Sequence, residues 1–312
     1  MSYPLITIAI PTYNRVGFLA EALNSVQRQT YPNLEILVGD NASTDDTESL
    51  VRAASAMDKR IRYIRNPENV GMRNNWNMLL YEATGEYFLL LSDDDALEPG
   101  AIEKLLNSFN VKDIVIAYSR VRFIDGQSRK GGLSLIGPSN ESGRNFIINS
   151  LKAYRETYPS SVLFRTGMAR KLGGFPDVGA STDLALRLIL ATQGYIGFCP
   201  EALVRYRIHG ACLSKNFETF PQSLMELIKW SGTPRCALYD YNKLIKTYYV
   251  NFLYGRALRV LLRGNINLFI NILGKIKETG KYTNLKVAAF LCGFPFYNLF
   301  TKVRYHLLKM SK

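Results

Sequence analysis

Between Leu5 and Tyr118 the chain repeats one pattern, a short apolar run followed by a stretch whose apolar residues recur at helical spacing. The apolar runs cover Leu5 to Ile10, Leu34 to Gly39, Ile61 to Arg65, Tyr87 to Leu91 and Asp113 to Tyr118. Residues 17–28, 45–56, 71–82 and 101–109 carry the helical spacing. Strands alternating with helices of about 10 to 15 residues predict an α/β domain with a mainly parallel sheet covered on both faces. Ligands of such sheets bind outside the carboxyl ends of the strands.

Those ends hold the unusual residues. PTYNR (Pro11 to Arg15) follows the first run, DNAST (Asp40 to Thr44) the second, and Ser92-Asp93-Asp94-Asp95 the fourth. Neither GxGxxG nor GxxxxGK[ST] occurs, so the two common glycine loops for phosphate are missing. Three adjacent carboxylates repel and raise one another's pKa unless a cation or a set of donors sits among them. One aspartate would suffice to cap the helix after Pro99. Three, directly after an apolar strand, point to a site for Mg²⁺ or Mn²⁺.

Past the glycines at 126, 131 and 132 the pattern becomes mixed. It includes SVLFR (Ser161 to Arg165), GGFPD (Gly173 to Asp177), a helix beginning near Ser181, and a strand pair through YIGFCP and VRYRIHG. From about Pro221 the spacing is helical and the composition basic. The sequence thus divides into a domain over 1–220 and a basic helical region over 221–312.

Charge follows that division. Of a net +13, the segment from Asp240 to Lys312 supplies +11, with 13 Lys or Arg against two acidic residues. Arg256, Arg259 and Arg263 share one helix face opposite Val250, Tyr254, Leu258, Leu261 and Leu262, a pattern suited to an anionic membrane surface or to packing on the first domain. The 15 uncharged residues between Lys286 and Lys302 are too few to span a bilayer and are interrupted by Gly293 and Pro295. Cys199, Cys212, Cys236 and Cys292 have no metal-ligand spacing and read as reduced thiols. With a strand starting almost at the first residue, no signal peptide is expected, and the chain reads as cytoplasmic, peripheral at most on the inner face of the cell membrane.

The ordered set PTYNR, DNASTDDT, ATGEYFLLLSDDD and GGFPD, spread over roughly residues 5 to 215, resembles the inverting nucleotide-sugar glycosyltransferases of family 2, with the Rossmann-like GT-A fold. The resemblance implies that Tyr13 stacks on a pyrimidine base beside Pro11 and Thr12, and that Asp40 hydrogen-bonds the base N3–H. It implies a DxD motif in which Asp95 ligates the metal and Asp93 lies closer to ribose and sugar, with Asp94 able to substitute for either. Arg73 is implied to approach the nucleotide and His209 to approach the metal or diphosphate. The donor implied is a UDP- or TDP-sugar, and the acceptor a glycan hydroxyl, carried on a polyprenyl lipid in surface polysaccharide synthesis.

An inverting transfer also needs a carboxylate to deprotonate the acceptor. The family commonly presents Glu-Asp at the start of a helix, where this chain has Ala180-Ser181 or Thr182-Asp183 according to register. Asp183, the only carboxylate on that helix, is the candidate base, with Asp177 as its substitute. Two rival readings remain. A nucleotidyltransferase would need a glycine-rich basic loop, which PTYNR lacks, and an inactive scaffold would explain the absent Glu-Asp. Nucleic-acid binding is disfavoured, because the positive charge lies on amphipathic helices without a recognition module.

Overall fold

The computed structural model describes residues 3–111, 113–152, 156–209, 219–233 and 236–247. The helices are α1 (Val16–Gln27), α2 (Thr47–Met57), α3 (Met72–Glu82), α4 (Ala101–Asn107), α5 (Gly143–Leu151), α6 (Thr166–Lys171), α7 (Thr182–Ala191) and α8 (Thr219–Ser231). The strands are β1 (Ile6–Thr12), β2 (Leu34–Asp40), β3 (Ile61–Arg65), β4 (Tyr87–Leu90), β5 (Ala96–Leu97), β6 (Ile114–Ile124), β7 (Lys130–Leu133), β8 (Asn140–Ser142), β9 (Val162–Arg165) and β10 (Tyr195–Arg207). They join in one sheet of order β3-β2-β1-β4-β9-β6-β10-β5, with β7 on β6 and β8 on β10. Along the main path only β9 and β5 run against the other six strands. The α/β, mainly parallel sheet expected from the alternating pattern is therefore the one observed.

Burial on both faces explains why β1 and β2 read as continuous apolar runs. On one face α1 lays down Leu19, Ala22, Leu23 and Val26, spaced as a helix stripe must be, against Ile6, Ile8 and Ile10 of β1 and Ile36 and Val38 of β2. α3 covers the other face. There Gly39 is required, because any Cβ at that position would stand 2.8 Å from Leu79. Of the two carboxylates buried on β2, Glu35 and Asp40, the first accepts hydrogen bonds from Thr7 Oγ1 (2.5 Å), Arg62 NH1 (2.7 Å) and the Thr84 amide (2.8 Å). Burial alone would raise its pKa, but these three donors outweigh burial and hold it below the ordinary glutamate value.

One expected boundary differs. YIGFCP and VRYRIHG, read as two strands, form the single strand β10, which pairs with β6 along its length. Its register shifts between Cys199 and Ala202 and again between Ala202 and Val204. Pro200 brings no N–H to the ladder, and Glu201 is exposed and ion-paired with Lys104, so the polar break is a bulge rather than a turn.

The chain forms two compact units, Met1–Asp240 and Tyr241–Lys312. The first unit runs beyond residue 220 and takes in α8, which packs on the turn before α7 and accepts a hydrogen bond from the Ala180 amide on Ser223 Oγ (2.8 Å). Arg256, Arg259, Arg263 and the uncharged segment before Lys302 lie outside the described residues. Among the described residues no helix is long and apolar enough to cross a membrane.

Candidate active site

Three loops at the carboxyl edge of the sheet are zipped together by short polar side chains. After β1 the chain turns through Asn14, whose φ of 52° lies in the left-handed region that asparagine tolerates. Asn14 Oδ1 accepts from the Thr44 amide (2.7 Å), and the Asn14 amide donates to Ser43 Oγ (2.9 Å). Asp45 caps two helices at once, accepting from the Val16 amide of α1 (3.0 Å) and the Thr47 amide of α2 (3.1 Å). Asn41 Oδ1 accepts from the Val70 amide (3.0 Å) and from Asn66 Nδ2 (3.1 Å), while Asn41 Nδ2 donates to Asn69 Oδ1 (2.7 Å). These bonds fix the approach to α3.

Between the loops opens a cavity of about 450 Å³, within the usual range for small-molecule sites. Its walls include Pro11, Thr12, Tyr13 and Arg15 after β1, Asn41 after β2, and Asn69, Met72, Asn75 and Trp76 around the start of α3. Ser92, Asp93 and Asp94 after β4, Pro159 before β9, Ala180 and Asp183 at the start of α7, and Tyr206 and Arg207 on β10 complete it. Tyr13 is 45% exposed, unlike a core aromatic. Its ring stands available to a planar ligand.

The three aspartates have three different surroundings. Asp93 accepts from Thr12 Oγ1 on Oδ2 (2.8 Å) and from Arg15 NH1 on Oδ1 (3.1 Å). Burial pushes its pKa up to about 6; Arg15 pulls it down and Asp94 adds to the rise. Asp94 Oδ2 meets Arg15 NH1 (3.1 Å) and His209 Nε2 (2.9 Å). Asp95 points into the protein, where Oδ2 accepts from Ser160 Oγ (2.5 Å) and Oδ1 from the Arg207 amide (2.8 Å). It is 1% exposed, and burial, reinforced by the neighbouring charge of Asp94, drives its pKa well above the aspartate range.

Asp95, expected to ligate the metal, faces the protein rather than the cavity. Both its oxygens serve protein donors, and of the three adjacent aspartates it is Asp93 and Asp94 that line the cavity. Asp40, expected at the base N3–H, is fully buried and accepts from the Ser43 amide on Oδ1 (2.8 Å) and from Tyr63 Oη on Oδ2 (2.5 Å), with Arg65 Nε 3.5 Å away. It braces the loop and does not form part of the cavity wall. Arg73 is likewise turned to structure, donating from Nε to the Phe175 carbonyl (3.1 Å) and lying 4.0 Å from Asp177. That contact holds the GGFPD loop against α3. Asp177 is largely exposed and outside the wall.

Asp183 does reach the cavity. Its Oδ2 accepts from Arg187 NH1 one turn later (2.7 Å), a pair in which the arginine side chain is only 8% exposed. Among the described residues its Oδ1 has no hydrogen-bond partner. Ser181 is fully buried and its hydroxyl is unpaired among the described residues.

Two contributors went unread in the sequence. Arg207, at the end of β10, donates from Nε to the Asp94 carbonyl (2.8 Å), from NH1 to Ser128 Oγ (2.8 Å) and from NH2 to Glu21 Oε2 (2.5 Å), with Phe18 stacked 5.1 Å below its guanidinium. It locks the aspartate turn to α1. Trp76, one helical turn after Met72 and edge-on to Phe175 at 5.3 Å, forms an aromatic wall whose signal in sequence is only its spacing on α3.

Among the described residues no group of three His, Cys, Asp or Glu forms a metal cage. What exists is a pair of donors, Asp94 Oδ2 and His209 Nε2, beside Asp93. That suits Mg²⁺ or Mn²⁺, which commonly take one or two protein ligands and complete their shell with water and substrate phosphate oxygens.

The family model described as glycosyl transferase family 2 matches residues 7–172. An uncharacterized glycosyltransferase of Haemophilus influenzae is 30% identical over 217 residues, 66% of each chain. A GalNAc(5)-diNAcBac-PP-undecaprenol beta-1,3-glucosyltransferase of Campylobacter jejuni is 39% identical over 108 residues, 34% of this chain and 35% of its own. The chain thus spans no more than about two thirds of these relatives. Among solved structures, S. aureus TarS 1-349 in complex with UDP-GlcNAc superposes with a TM-score of 0.64 at 19% identity, covering 88% of this chain and 81% of that one. The shared fold is the GT-A type.

Proposed function

Because this chain belongs to glycosyl transferase family 2, we propose that it is an inverting, metal-dependent enzyme. It moves a sugar from a UDP- or TDP-sugar to a hydroxyl of a glycan carried on a polyprenyl lipid, as in surface polysaccharide synthesis. The observation that carries this reading is the meeting, in one cavity, of an exposed aromatic ring, two aspartates of which one is bonded to an imidazole, and the further carboxylate of Asp183. The undecaprenol-linked acceptor of the Campylobacter relative supports a lipid-linked acceptor, and the ligand in the TarS complex supports a uridine donor.

In this reading Tyr13 stacks on the pyrimidine, against Pro11 and Thr12. Asn69, whose Oδ1 is already taken by Asn41 and the Gly71 amide, offers its Nδ2 to a base carbonyl. Asp93, held by Thr12, faces the ribose and sugar. Mn²⁺ or Mg²⁺ would be held by Asp94 and His209, and when bound it neutralises charge on the departing diphosphate.

Asp183 Oδ1 takes the proton of the acceptor hydroxyl as that oxygen forms a bond to the anomeric carbon. The bond from that carbon to the diphosphate oxygen breaks on the opposite face, so the configuration inverts. Arg187 keeps Asp183 oriented through Oδ2 and leaves the other oxygen to act as base. At the membrane surface the acceptor would arrive from the lipid, and the basic residues after Asp240 would favour that location.

The test is a donor panel. Purified protein with Mn²⁺ and a polyprenyl-diphosphate glycan is offered UDP-, TDP- and GDP-sugars, and both diphosphate release and product configuration are followed by NMR. An inverted product from a uridine or thymidine donor supports the proposal. Retention of configuration, or no release from any donor, contradicts it.

A further inference from the structure

Arg15 belongs to a cavity motif, yet it pairs with carboxylates 78 and 79 residues away in sequence. One guanidinium nitrogen, NH1, stands 3.1 Å from Asp93 Oδ1 and 3.1 Å from Asp94 Oδ2. The aspartate side chains are 7% and 13% exposed, whereas that of Arg15 is 32% exposed and forms part of the cavity wall. A guanidinium cannot give up its proton at any ordinary pH. It is therefore a permanent positive charge set across the two carboxylates that a divalent cation would approach. The same Asp94 Oδ2 also receives His209 Nε2 at 2.9 Å, so Arg15 already occupies one of the two candidate metal donors.

We propose that Arg15 is an internal counter-ion of the Asp93–Asp94 pair that the divalent cation must displace, and that the displaced guanidinium is then presented to the diphosphate of the donor. This rests on the metal-dependent reading above. Asp93 can release Arg15 without losing its position, because Thr12 Oγ1 holds its other oxygen at 2.8 Å. The backbone of Asp94 is fixed separately through Arg207. The aspartates stay while the arginine moves.

Metal alone must break two ion pairs and sit close to a like charge, so it binds weakly. Once a diphosphate accepts the guanidinium in a bidentate manner, that opposition disappears. Metal and nucleoside diphosphate therefore bind with positive, reciprocal coupling.

The experiment titrates Mn²⁺ alone into the full chain, reading free Mn²⁺ by its electron paramagnetic resonance signal, then repeats the titration with UDP present. Folding of each variant is checked by circular dichroism. Arg15→Gln should bind Mn²⁺ alone at least about tenfold tighter than the unmodified protein, because a like charge within a few ångströms is removed. Arg15→Lys, which keeps the charge, should stay weak. UDP should tighten Mn²⁺ strongly in the unmodified protein and much less in Arg15→Gln.

Equal or weaker Mn²⁺ binding by folded Arg15→Gln, with binding still lost in Asp94→Asn, overturns the counter-ion role and leaves the metal site standing. Absence of Mn²⁺ binding in every form, with UDP still bound, overturns both this inference and the metal-dependent reading.

Discussion

Replacing Asp183 by asparagine separates two roles that the structure gives one side chain. Asparagine keeps an oxygen for Arg187 but loses the charge, leaving a guanidinium with an 8% exposed side chain opposite a neutral partner instead of the carboxylate 2.7 Å away. Breaking a buried pair on one side costs about 3–5 kcal/mol, and the retained acceptor puts this case near 3. For a unit of this size that lowers Tm by about 6 to 12 °C.

Loss of a general base removes a further factor of about 10² to 10⁴ from kcat, or about 3 to 5 kcal/mol of barrier. Because low activity could then follow from poor folding, the informative variant is Asp183→Leu with Arg187→Met, which replaces the pair by apolar groups and should restore most of the lost stability. Thermal melts and diphosphate release, measured on the same preparations with saturating donor, report the two effects apart. The double variant should melt near the unmodified protein and still turn over at least about a hundredfold more slowly. Turnover within a few-fold of the unmodified enzyme would refute Asp183 as base and leave the pair a packing device.

Three other outcomes follow from the geometry. Asp95→Asn should leave Mn²⁺ binding nearly unchanged whereas Asp94→Asn abolishes it, as calorimetry can decide, because Asp95 serves Ser160 and Arg207 rather than the cavity. Tyr13→Ala should weaken UDP by about 1–3 kcal/mol while Tyr13→Phe keeps most of the affinity, since stacking needs the ring and not the hydroxyl. Glu35 titrates below its ordinary value of 4.5 in the folded chain, so its stabilisation is complete above that value and is lost as pH falls through it toward the lower folded value. Glu35→Gln should cost about 1–3 kcal/mol at neutral pH and flatten that part of the acid slope in urea unfolding between about pH 5 and pH 2.

Strands β1 to β4, the first half of β6 and helices α1 to α4 were legible because each signals itself locally. A strand buried on both faces must be apolar throughout, and a covering helix must repeat its stripe. The cavity was legible for the same reason, since parallel strands put their carboxyl ends together and PTYNR and SDDD mark those ends. What each carboxylate does was not legible. Asp94 and Asp95 are adjacent and chemically identical, and only Ser160 in the turn before β9 and Arg207 at the end of β10 decide that Asp95 turns inward. The setting of Asp40 was hidden for the same reason, because Tyr63 and Arg65 on the neighbouring strand approach its Oδ2 while the Ser43 amide takes Oδ1. β10 was read as two strands because a bulge around Pro200 and Glu201 breaks the apolar pattern as a turn would.

The central claim is that the cavity binds a pyrimidine nucleoside diphosphate together with a divalent cation. Calorimetric titration with UDP, TDP and GDP, each with and without Mn²⁺, tests it most directly, with Asp94→Asn as control. The account predicts UDP or TDP binding that strengthens with Mn²⁺, with that gain lost in the variant, and weaker binding of GDP. Well-folded protein that binds none of the three nucleotides would contradict it.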